Sequence, residues 1–184
     1  MWKIIVLSAL VVVYAGNVEN LYGSWVPVVF YPVATYIPSC ARVSLAKDSN
    51  NVQCTCADGK NATVLEFSGP EQHTAIKTFP VLTVDTPAAV ASSLQVSCKC
   101  GELENCNRKV AMVVNSNYFI LYSIQEKKLY AQIYAREIPT FSELRSVMKN
   151  IEDLRDRTAG ILCTREYLEA EVQYKARRQR SRSI

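Results

Sequence analysis

The chain has 184 residues, 49% of them hydrophobic and 21% charged, a balance that excludes an intrinsically disordered chain and suits one folded domain. The formal charge of +4 excludes less than it suggests. Lys175, Arg177, Arg178, Arg180 and Arg182 lie in the last ten residues, and with those five and Lys3 set aside the +4 becomes −2, so nucleic acid is not an expected partner.

Residues 1–16 read as a leader. Lys3 supplies the positive start, Ile4 to Tyr14 are apolar, and Val13-Tyr14-Ala15 offers a small-residue cleavage site. A run of eleven residues, apolar but for Ser8, is too short to span a bilayer as a helix and fits a secretory signal peptide. No other stretch reaches transmembrane length, so a secreted, extracellular protein is expected. The chain then divides into a signal peptide (1–16), a barrel domain (17–174) and a basic disordered tail (175–184).

From Trp25 to Ala135 short runs rich in Val, Ile, Tyr, Phe and Thr alternate with turn residues. Strands are expected over 25–30, 40–46, 52–56 and 62–67. The turn Lys47-Asp48-Ser49-Asn50-Asn51 separates the second from the third, and Ser68-Gly69-Pro70 ends the fourth. Residues 76–84 are apolar but contain Pro80, which makes them an edge strand or an extended segment. Further strands are expected over 94–100, 110–114, 118–124 and 129–135. Asn61-Ala62-Thr63 is an N-glycosylation acceptor beside the turn Asp58-Gly59-Lys60, so Asn61 is expected on the surface.

One helix is marked clearly. Thr140-Phe141-Ser142-Glu143 has the form of a capping box, and Phe141, Leu144, Val147, Met148, Ile151 and Leu154 recur at helical spacing before Gly160. A brief strand over 161–164 and a helical segment over 167–174 follow. Eight or nine antiparallel strands joined by short loops suit an up-and-down barrel, which removes its own edges by closing.

The seven cysteines are Cys40, Cys54, Cys56, Cys98, Cys100, Cys106 and Cys163. Cys-x-Cys occurs twice, but structural zinc sites space their ligands Cys-x₂₋₄-Cys. Behind a leader the set reads as disulfides with one cysteine left over. No metal and no cofactor are expected. His73 is the lone histidine and lies in a polar loop, so no Ser-His-Asp arrangement can be built. No phosphate-cradling loop or dinucleotide fingerprint is present. An enzyme is not expected.

Gly23-Ser24-Trp25 at the head of the first strand, Tyr118-Phe119-Ile120-Leu121-Tyr122-Ser123, the hairpin to Tyr134-Ala135-Arg136 and the helix begun at Thr140 together resemble the lipocalin family, in its outlying arthropod-type and apolipoprotein D-like form. The resemblance rests on 23–32 and 118–163. Two departures stand within it: Val113-Val114-Asn115 replaces the Thr-Asp-Tyr that many members carry, and Pro27 falls inside the first strand. It implies an all-β fold, an eight-stranded antiparallel up-and-down barrel with one C-terminal helix packed outside. It also implies a floor in which Arg136 stacks on Trp25 beside Gly23, and a Cys40–Cys163 bridge. That bridge closes a loop of over a hundred residues and stabilises by about 4 kcal/mol in the chain-entropy model. Among Cys54, Cys56, Cys98, Cys100 and Cys106 the remaining pairing stays open.

Strand alternation from Trp25 and Arg136 turns Pro27, Val29, Tyr130, Gln132 and Tyr134 inward. The family's register adds Val110, Met112, Phe119, Leu121 and Ser123. Val29, Val110, Met112, Phe119, Leu121, Tyr130, Gln132 and Tyr134 are therefore the candidate ligand-binding set: an apolar wall with polar tips that could orient a ligand or satisfy one another. The implied function is burial of a small hydrophobic molecule such as a pigment, retinoid, fatty acid or semiochemical. The alternative is a filled barrel acting as an inhibitor or interaction protein through its outer surface or basic tail, which could bind anionic surfaces weakly.

Overall fold

The computed structural model describes residues 17–33, 40–50, 52–69, 77–84, 87–101 and 109–180. Residues 1–16, expected to be a leader, lie outside them, as do His73, Cys106 and residues 181–184.

Among the described residues ten strands form one sheet: β1 (Gly23–Tyr31), β2 (Val43–Lys47), β3 (Gln53–Cys56), β4 (Asn61–Ser68), β5 (Lys77–Val84), β6 (Cys98–Cys100), β7 (Lys109–Asn115), β8 (Tyr118–Gln125), β9 (Lys128–Ala135) and β10 (Gly160–Ile161). Seven of them close on themselves in the order β1-β9-β8-β7-β5-β4-β2, because β2 pairs with both β4 and β1. The chain is thus mostly β, with a closed barrel and helices outside it.

This differs from the expected eight strands in up-and-down order. Among the described residues the ring has seven strands, and β5 pairs with β7 in parallel, Val81 beside Lys109 and Val84 beside Met112. Between them the chain makes an excursion: helix α1 (Pro87–Leu94), then β6, which leaves the ring and pairs with β3. A parallel pair needs such a crossover, since a tight turn cannot reverse the chain twice. The sequence reading missed α1, although Pro87 at the first helical position followed by Ala88 and Ala89 is a recognisable start. Despite Pro80, β5 is not an edge strand: it lies between β4 and β7, Pro80 pairs with Val64, and the described ladder to β7 begins at Val81.

The barrel is buried on both faces, and two apolar layers result. Trp25, Leu45, Leu65, Val81, Ala111 and Phe119 belong to the inner one. The outer one joins Val26, Ile120 and Ile133 to Leu144, Ile151 and Leu154. Leu144 comes from α2 (Phe141–Lys149), whose capping box forms as expected: Thr140 N–H donates to Glu143 Oε2 at 2.7 Å, and Glu143 N–H donates to Thr140 Oγ1 at 3.2 Å. The apolar stripe does not continue as one α-helix. The helix ends at the cap Asn150, and a 3-10 turn over Glu152–Leu154 carries Leu154 into the layer; Phe141 stays exposed.

Helix α3 (Arg165–Arg180) runs six residues past Tyr174. The basic tail expected to be disordered from Lys175 is helical through Arg180, with Lys175 Nζ paired to Glu171 at 2.7 Å one turn back, a favourable helical spacing. No helix among the described residues is long and apolar enough to cross a membrane.

Among the described residues three disulfides brace the structure. Cys40–Cys163, implied by the resemblance, ties the segment before β2 to the segment after β10, 123 residues away. Cys54–Cys100 and Cys56–Cys98 join directly facing residues of β3 and β6. Such bridges belong to an oxidising compartment.

Candidate functional site: the barrel interior

The floor is built from the start of β1 and the end of β9. A 3-10 turn over Val18–Leu21 leads into Gly23, whose φ of +105° is a left-handed value that a side chain rarely adopts. A Cβ there would also lie 2.8 Å from Arg136 Nη1. Trp25 is 1% exposed, and its indole N–H donates to the Leu21 carbonyl at 2.7 Å. Arg136 covers the indole, its guanidinium carbon 3.6 Å from the ring centroid. Its Nη1 donates to the Tyr22 carbonyl at 2.8 Å and its Nη2 to the Asn20 carbonyl at 2.9 Å. One cation thus stacks on the plug and ties down the turn that precedes it. This is the arrangement expected for Gly23, Trp25 and Arg136.

Above the floor the inward residues of β7, β8 and β9 form rows. Val113 faces Phe119, which faces Tyr134. Phe119 stacks on Tyr134 at 4.7 Å between centroids and meets Trp25 edge-on at 4.6 Å. The next row is Ala111, Leu121 and Gln132. Tyr134 donates its hydroxyl to Gln132 Oε1 at 2.6 Å, so two of the three polar tips satisfy each other in part. The third row, toward the β8–β9 turn, holds Ser123 opposite Tyr130. From floor to opposite end the wall passes from aromatic through aliphatic to polar.

Five of the eight expected wall residues therefore share the inward face: Phe119, Leu121, Tyr130, Gln132 and Tyr134. Three do not. Val29 follows a bulge between Pro27 and Val29 that adds a residue to β1, so it comes opposite Ile133 and joins the outer layer. Val110 and Met112 pair with Tyr122 and Ile120, and all four lie in the outer layer with Val90 of α1. The inward residues of β7 are Lys109, Ala111 and Val113. Both faces of β7 are covered, so its apolar residues do not alternate and the one-residue slip leaves no trace in composition. Phe79, Val81, Leu65 and Leu45 complete the inner wall and were not singled out. Alternation from Trp25 through the ladders recovers them once the register is known.

Burial pushes the Tyr134 phenol well above its ordinary value, so the hydroxyl stays a neutral donor. Lys109 lies beside Val81, with its ammonium 3.9 Å from the Phe79 ring centroid.

A cleft lies outside this wall. Lys47 is two residues past the Gly23–Leu45 pair, at the floor end, where β2 breaks from β3. There a cleft of about 320 Å³ is lined by Lys47, Asp48, Gln53, Thr55, Asn61 and Thr63, among others. Asp48 is buried and accepts from Val52 N–H at 3.0 Å, which shapes the break. Asn61, the glycan acceptor, is exposed at the first position of β4. Among the described residues no cluster of three or more His, Cys, Asp or Glu could hold a metal ion.

No protein-family model matches the chain, and no curated protein is detectably similar to it in sequence.

Proposed function

We propose that the protein is a secreted lipocalin that binds and carries a small hydrophobic molecule inside its barrel. The observation that carries this reading is the graded interior of a closed barrel: a stacked floor of Trp25, Phe119 and Tyr134, an aliphatic middle at Leu121 and Ala111, and hydroxyl and amide tips above. Apolar walls with a few placed donors are the composition of a ligand pocket. Burial of apolar ligand surface supplies the affinity, roughly 25 cal/mol per Å² before ordering costs. Gln132 and Tyr130 orient the polar end. The Arg136–Trp25 floor and the Cys40–Cys163 bridge support membership in the family, and the parallel β5–β7 pair makes this an aberrant member. The disulfides and the leader of residues 1–16 support secretion, where Asn61 is open to glycosylation.

Native mass spectrometry of protein secreted from cells in culture tests the reading. Wild type is expected to carry one small apolar molecule that organic solvent removes, and Leu121→Arg is expected to arrive empty. Equal ligand-free masses for both would contradict it.

A second reading has its own observation. From Glu169 onward α3 is mostly exposed, Arg177 included. This favours an inhibitor or interaction protein that meets an acidic partner through the tail, with salt-sensitive affinity. Removal of residues 175–184 would abolish partner binding and leave ligand uptake intact.

A further inference from the structure

We infer that the cleft beside β3 and β4 is the seat of the protein's own glycan, and that the first N-acetylglucosamine on Asn61 lies in it as part of the fold. The inference rests on the secretion reading, since the sugar is added along that route, and it gives Asn61-Ala62-Thr63 a structural role. Thr55 lies directly opposite Asn61, and Gln53 opposite Thr63. These four side chains therefore share one face of the β3–β4 pair, and all four line the cleft. Lys47 and Asp48 line it from the end of β2. Both the acceptor asparagine and its threonine thus belong to the wall, Asn61 exposed and Thr63 half-buried.

The walls are fixed before anything enters. Asp48 N–H donates to the Val64 carbonyl at 3.1 Å, and the Asp48 carboxylate accepts from Val52 N–H at 3.0 Å. Ser49 donates its hydroxyl to Glu66 Oε1 at 2.6 Å, and the Cys54–Cys100 bridge holds β3 to β6. The volume of about 320 Å³ stands at the lower end of small-molecule pockets and has room for a single sugar ring. An ammonium, an amide and two hydroxyls meet the hydroxyls and acetamide of a hexosamine as donors and acceptors. Each such bond is weak alone. Attachment at Asn61 makes the encounter intramolecular, so weak bonds suffice to hold the ring. In that attachment the Asn61 Nδ2 gives up a proton and bonds C1 of the sugar, and a lipid pyrophosphate leaves from the lipid-linked donor.

Proton NMR tests this on protein secreted from cultured cells under its own leader, its glycan trimmed enzymatically to the first N-acetylglucosamine and its mass checked. Cross-peaks are expected from the acetamide methyl to the Thr55 or Thr63 methyl. Gln53→Ala, which leaves the acceptor tripeptide intact, should lower the folding constant of the trimmed protein about fivefold in urea titration. The same change should have no effect in Asn61→Gln, or, where that variant fails to fold, in wild type stripped of its sugar by an amidase. An acetamide methyl with no cross-peak to the cleft, or an equal loss with and without sugar, would overturn the inference. So would secreted protein whose Asn61 carries no sugar, which leaves the secretion reading standing. Failure of the leader to direct secretion would remove both.

Discussion

Arg136 does two jobs through one group, and its replacements separate them. Arg136→Lys keeps the cation near the Trp25 face but loses the planar fork that reaches both the Tyr22 and Asn20 carbonyls. Arg136→Ala loses both. We expect losses of about 1 kcal/mol and about 2–3 kcal/mol in urea unfolding, from the sum of one cation–π contact and two charge-assisted bonds. Identical losses would mean that the cation over the indole contributes nothing and the fork carries the whole effect. Phenols provide a second residue-scale prediction. Burial raises the pKa of Tyr134 and, together with the nearby Asp153 charge, that of Tyr122 above the ordinary 10.0. A folded-state pKa raised in this way leaves stability intact below pH 10 and removes it above, because only the unfolded chain releases the protons. Two such groups amount to about 3 kcal/mol by roughly pH 11. Alkaline titration should show two phenols that ionise only as the chain unfolds; free ionisation of both in the folded protein near pH 10 would refute this.

Elements show where the sequence was readable and where it was not. The capping box at Thr140 is a local rule, satisfied by residues three apart, so it survives folding unchanged. The floor joins Trp25 to Arg136 across most of the domain and was legible only through the family resemblance carried by Gly23-Ser24-Trp25 and Tyr134-Ala135-Arg136. The β1 bulge beside Pro27 and the register of β7 were not, because both depend on which side each strand turns toward distant partners. The length of α3 was missed through over-weighting charge: cations in its last turns oppose the helix dipole favourably. One element also carries a testable fault. The β8–β9 hairpin turns on Glu126 and Lys127, both left-handed at φ +49° and +64°. Two-residue hairpins of this hand favour Asn-Gly, and neither exposed side chain here prefers that conformation. Glu126→Asn with Lys127→Gly should stabilise by about 1 kcal/mol, read as a higher urea midpoint at unchanged slope. A lower midpoint would show that those side chains hold the turn in a way their backbone angles do not reveal.

At the scale of the whole molecule, closure decides everything the interior can do. Strand periodicity foretold a barrel, but not that β6 would leave the ring to be stapled to β3 by two bridges while β5 and β7 run parallel. Those choices turn on long-range pairing, which alternation within a strand does not encode. The Cys40–Cys163 bridge spans most of the domain and acts on the unfolded chain more than on the barrel wall. The central claim, that an apolar molecule enters this closed wall and settles above the indole plug, can be measured from inside. Protein expressed without residues 1–16 keeps Trp25 as its one tryptophan. Titration with a fluorescent polyene fatty acid should quench Trp25 emission by energy transfer, saturating at one probe per chain, and Leu121→Arg should abolish the effect. Probe binding that leaves Trp25 emission unchanged, or that proceeds equally in Leu121→Arg, would place the ligand outside the barrel and contradict the account.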